Sequence, residues 1–144
     1  MNWWNDLWLN EGFASFLEIK GQNHVNNLWN VFDLFSISHI HPALLADSQQ
    51  STHPLVNTVL TPNQITAMFD TISYRKGAAI LNTIESIIGE NSFQSCLRKY
   101  LNNNKFSSVN TTEMVNYVKD EIKEVCVMFF IIMFHILKTK NIYR

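Results

Sequence analysis

The stretch WWNDLWLNEGFASFLE, Trp3 to Glu18, decides the fold class. Three tryptophans, three leucines and two phenylalanines share these sixteen residues with Asp6, Glu11 and Glu18. Nothing in it alternates as a half-buried strand does, and its length suits a helix from about Asp6 to Lys20. Asn5 or Asp6 can cap the start, and Gly21 fits just past the end. At 100° per residue the apolar side chains point in every direction, the pattern of a buried helix. Two carboxylates on such a helix need an explanation. Glu11 and Glu18 lie two turns apart on one face, and a buried carboxylate is costly unless paired, hydrogen-bonded or bound to a cation. Spacing leaves both readings open: salt bridges to basic residues elsewhere, or one acid as a metal ligand with the other supporting it.

The rest of the chain also reads as helices. A second is expected from about Asn23 to Ser36, with Val25, Leu28, Trp29, Phe32 and Phe35 on one face. The segment from Ser38 to Leu60 is expected to be mainly connection, broken by Pro42 and Pro54. Thr61-Pro62-Asn63-Gln64 is a helix start with a capping box, and that helix is expected to run to about Asp70. Another is expected from near Ser73 to Ile88, with Tyr74, Ala78, Leu81, Ile84 and Ile88 on its face and Gly89 as its stop. A helix from Asn91 to Leu101 buries Phe93, Cys96, Leu97 and Tyr100. The last starts near Thr111, where Asn110 and Glu113 have capping-box spacing. The fold class is mainly α.

At 144 residues the chain suits one modest domain or a piece of a larger one. Its 47% hydrophobic and 16% charged composition is globular. A net charge of −1 gives no electrostatic case for nucleic acid or an anionic membrane. Cys96 and Cys126 form no CxxC pair. Composition shifts near the end, where Val125 to Leu137 is apolar except for His135. Thirteen helical residues span about 20 Å, short of the roughly 30 Å of a bilayer core.

The segment MNWWNDLWLNEGFASFLE resembles the zinc-ligand helix of the M1 family of metallo-aminopeptidases, marked by HExxH, eighteen residues, then Glu within NEGFA. FDTISYRKGAAIL, Phe69 to Leu81, resembles the family's SYxKGA region. LLADSQQSTHPL, Leu44 to Leu55, resembles the connection between the two. The likeness runs from Met1 to about Lys119, and the apolar tail 125–144 does not share it. It implies the helical part of a thermolysin-like (gluzincin) catalytic domain, incomplete, over residues 1–124.

The resemblance also implies roles. Glu11 is a zinc ligand, and Tyr74 donates a hydrogen bond to the developing oxyanion. Glu18 is a candidate to support a zinc-binding imidazole, and Asn10 to orient Glu11. One zinc ion and a peptide substrate belong to the complete enzyme. HExxH is absent: no two of His24, His39, His41, His53 and His135 are four apart, as two zinc ligands on one helix face must be. His39 and His41 are expected to be ordinary loop residues, and Lys76 an ordinary helix lysine. The expectation is a partial M1 enzyme, inactive alone and prone to self-association. The alternatives are a non-catalytic helical interaction protein or a tail-anchored relic. The family includes cytosolic and membrane-anchored enzymes, and the preference here is for a membrane-associated parent.

Overall fold

The computed structural model describes residues 1–121, and every regular element among them is helical. A 3-10 turn, Trp4–Asp6, leads into α1, Leu7–Val25, and a second such turn spans Asn27–Trp29. Then α2, Val31–Phe35, continues through a π turn, Ser36–Ile40, into α3, His41–Asp47. After a loop come α4, Pro62–Ala67, and a second π turn, Ile72–Lys76, that runs straight into α5, Gly77–Ile88. The chain continues with α6, Glu90–Asn103, and α7, Thr111–Glu121. The apolar run Val125 to Leu137 lies outside the described residues. No described helix is long and apolar enough to cross a membrane.

The core forms where α1 lies on α5, with α6 and α7 closing one end. Trp8 and Phe16 of α1, Ala78, Leu81 and Ile84 of α5, Phe93 and Cys96 of α6, and Met114 and Val118 of α7 are buried together. Phe16 meets Phe93 edge-on at 5.8 Å between centroids, the arrangement that aromatic quadrupoles favour. Burial pushes the Cys96 thiol up to about 11, so it packs as a small apolar group. Lys20 ties α1 to the far end of α5 and the start of α6, 2.6 Å from Glu85 and 2.9 Å from Glu90.

Local signals succeed where their partners are local. Thr61 and Gln64 form the expected capping box, and so do Asn110 and Glu113. Gly89 ends α5 at φ 85°. Other expectations are corrected. Asp6 makes no side-chain cap to α1; its carboxylate accepts the amide and hydroxyl of Thr111 instead. Gly21 does not stop α1, which continues to Val25 and ends at Asn26. The expected helix from Asn23 is broken because Asn26 turns its side chain onto the Leu28 amide and Asn30 is left-handed at φ 49°. Val25, Leu28 and Trp29 are therefore exposed. Nor is α1 buried all round: Leu17 is 50% exposed.

The segment after Ser38 is helical as far as Asp47, so His39 and His41 lie on helix, not loop. Proline lacks the N–H an α-helix interior needs. Pro42 sits in the first turn of α3, and the preceding turn is widened so that the His41 amide bonds to Ser36, five residues back.

Candidate active site

Gly12 of α1 meets Gly77, the first residue of α5, backbone to backbone. A Cβ placed on Gly12 would stand 3.0 Å from Gly77 Cα. No side chain separates the helices there, so the residues flanking the crossing, Glu11 on one element and Tyr74 on the other, come together. Both are half-buried. Partial burial, then the hydrogen-bonding and negatively charged Glu11 carboxylate, hold the Tyr74 phenol above its ordinary value. It keeps its proton at neutral pH and has one donor to offer. Among the described residues Glu11 and Glu18 form no ion pair, so the salt-bridge reading of these acids has no support in the structure.

Beside this pair lies an open groove of about 510 Å³, walled by Ser15 and Glu18 of α1, Ser38 and His39 of the first π turn, and Tyr74 and Arg75 of the second. Glu18 is exposed and accepts a 3.0 Å hydrogen bond from Gln22. Asn10 is exposed on the other flank, in an apolar groove with Phe13, Leu17 and Tyr100. The structure thus brings Glu11, Glu18 and Tyr74 to one side of α1 and sets Asn10 apart.

Two further residues, His39 and Lys76, have defined surroundings. His39 stacks on Phe35, ring centroids 4.7 Å apart and nearly parallel, with Nδ1 2.8 Å from Ser38 Oγ. Burial and the Arg75 charge hold it below the usual imidazole value, against the opposing pull of Glu18. The i, i+4 spacing from Phe35 was the available signal, hidden by the loop assignment. Lys76 is buried and bonds Asp47 at 2.8 Å.

His53, unassigned from the sequence, supports the Tyr74 turn from outside. Its Nε2 is 2.9 Å from Asp70 Oδ2 and its Nδ1 2.8 Å from the Pro54 carbonyl. Asp70 uses its other oxygen to accept the Ile72 and Ser73 amides, each at 3.0 Å. It thereby caps the helix that carries Tyr74.

A catalytic zinc takes three protein ligands and keeps a fourth position open. Among the described residues no group of three His, Cys, Asp or Glu side chains converges to hold a metal. Glu11 supplies one suitable oxygen donor, and these residues alone do not make a zinc site.

A sequence model of the peptidase family M1 domain matches residues 1–133. Human glutamyl aminopeptidase is 43% identical over 113 residues, which are 78% of this chain and 12% of that protein. Its rat counterpart is 45% identical over the same share. Tricorn protease-interacting factor F2 of Thermoplasma volcanium is 40% identical over 121 residues, 84% of this chain and 16% of that protein. The chain therefore matches only a small part of the length of these relatives. With a helical fold, an NEGFA helix crossing a SYRKGA turn, and a match over nearly its whole length, the chain belongs to peptidase family M1.

Proposed function

We propose that this chain carries one wall of the active site of a zinc aminopeptidase that removes amino-terminal residues from peptides. The observation that supports it is the meeting of Glu11 and Tyr74 across the Gly12–Gly77 crossing. Bound zinc supplies Lewis acidity and an acidified water. This chain contributes Glu11 as one anionic ligand. Tyr74 contributes a neutral hydrogen-bond donor for the oxygen on which charge develops, worth more in the transition state than in the ground state. Glu18, on the same side of α1, is placed to accept from an imidazole N–H and hold a metal-bound histidine in orientation.

Two experiments test the reading. The 144-residue polypeptide alone is expected to bind no stoichiometric zinc and to leave fluorogenic aminoacyl substrates uncleaved; zinc-dependent turnover would refute the single-ligand assignment. A chimaera of human glutamyl aminopeptidase, with its matching 113 residues replaced from this chain, is expected to hydrolyse aminoacyl substrates. In it Tyr74→Phe lowers kcat about 100- to 1000-fold with zinc retained, whereas Glu11→Gln loses zinc. Full kcat in the Tyr74→Phe chimaera sinks the role given to Tyr74.

A further inference from the structure

Lys76 closes the π turn that carries Tyr74. Its ammonium is buried, the residue only 6% exposed, 2.8 Å from Oδ1 of Asp47 at the end of α3, itself 2% exposed. Thr52 Oγ1 lies 3.4 Å from that same oxygen. Among the described residues, the other carboxylate oxygen, Asp47 Oδ2, and the fully buried Ser73 hydroxyl have no hydrogen-bond partner. This is a poor arrangement if stability is its purpose. Desolvating two charges offsets much of their attraction, and apolar residues of similar volume often serve as well or better.

The turn itself offers another role. In a regular helix Tyr74 would share the face of Ala78 and Leu81, both fully buried. Here the Gly77 amide bonds back five residues to Ile72, the π spacing. That extra residue shifts the phase: Ser73 and Lys76 take the buried positions, and Tyr74 emerges half-exposed beside Glu11. Were the turn to relax to a regular helix, Lys76 would rotate away from Asp47. Each charge would then be left desolvated and alone, the costly outcome for a buried pair. Buried ion pairs have their best-attested use in selecting one register among several, and π turns recur at functional sites.

We propose that the Asp47–Lys76 pair is a positioning device for Tyr74, fixing the widened turn in the one phase that sets the phenol against Glu11. The proposal deepens the reading of Tyr74 as an oxyanion donor and rests on it for its purpose, but its test requires neither metal nor substrate. The full 144-residue chain is labelled with ¹³C on its tyrosine rings, and Tyr74 is assigned with Tyr74→Phe. Glu11→Gln is expected to move the Tyr74 resonance, because the two groups meet.

The double variant Asp47→Leu/Lys76→Met is expected to keep its helical circular dichroism. Its Tyr74 resonance is expected to shift or split and to lose the response to Glu11→Gln. Leu81→Ala, which loosens the core without touching the pair, is the control. It is expected to leave the resonance and the response in place. A folded double variant with both unchanged overturns the proposal, as does a control that loses the response equally. Should the double variant not fold, Asp47→Asn keeps the volume and an oxygen for Lys76. A partial shift of Tyr74 is expected there, and none overturns the proposal. An inactive chimaera with an intact Tyr74–Glu11 response would refute the peptidase reading and leave this inference standing.

Discussion

His53 stands between two acceptors. The Asp70 carboxylate faces one ring nitrogen and the Pro54 carbonyl the other. Only the imidazolium has a proton for each. The hydrogen bond to Asp70 raises its pKa above the ordinary value of 6.5, against burial. A group whose folded pKa is raised contributes stability that is complete below its unfolded pKa and is lost as pH rises through the folded one. The thermal stability of the parent chain over His53→Gln is therefore expected to be greatest near pH 5.5, on the order of 1 kcal/mol after discounting for the partly exposed Asp70. The gap is expected to close toward pH 8.5, as melts across that range would show; a gap that widens with pH contradicts the assignment. Neither His53 nor Lys76 was legible in the sequence. Their partners, Asp70 and Asp47, lie 17 and 29 residues away, and no local spacing points to them. Glu11 and Tyr74 could be named as candidates because their motifs have a family likeness, and in the structure they lie side by side.

Within α1, two glycines predict opposite outcomes for the same change. Among the described residues, Gly21 has nothing within 4 Å of a new Cβ. Gly21→Ala is expected to stabilise by about 0.5–1 kcal/mol through helix propensity. Gly12 faces backbone at 3.0 Å, and backbone cannot turn aside as a flexible side chain can. Gly12→Ala is expected to destabilise by about 1–3 kcal/mol through overpacking. Chemical denaturation of the two variants checks the signs, and a stabilising Gly12→Ala would refute the close crossing. The sequence assigned Gly21 to the end of the helix because glycine often stands there, yet the stop is Asn26. Element types were readable from periodicity, and starts from capping boxes whose members are three residues apart. The π turns were not, because a single inserted residue changes the phase without changing the composition.

At the scale of the molecule, several large apolar side chains stand exposed between residues 25 and 37. Val25, Leu28, Trp29, Leu34 and Ile37 are 80, 83, 60, 56 and 64% exposed. Such surface on a small domain favours association. Sedimentation at micromolar concentration is expected to show species larger than a monomer, reduced by Trp29→Ser with Ile37→Ser; a monodisperse monomer would contradict this. The mainly helical class was readable throughout, but which helices meet was not, since that depends on contacts far apart in sequence. The latch between Asp6, Trp8 and Thr111 is the extreme case. Thr111 donates to the Asp6 carboxylate across 105 residues, and its hydroxyl accepts the Trp8 indole N–H at 2.8 Å. A nascent chain leaves the ribosome from its amino end, so α1 emerges long before the residue that fastens it. Until Thr111 follows, Trp8 has no acceptor there, and the part of α1 that packs on α6 and α7 waits uncovered while the intervening residues are made. The contacts that complete this core are among the last to become available, which makes early folding slow and gives chaperones a long interval in which to bind.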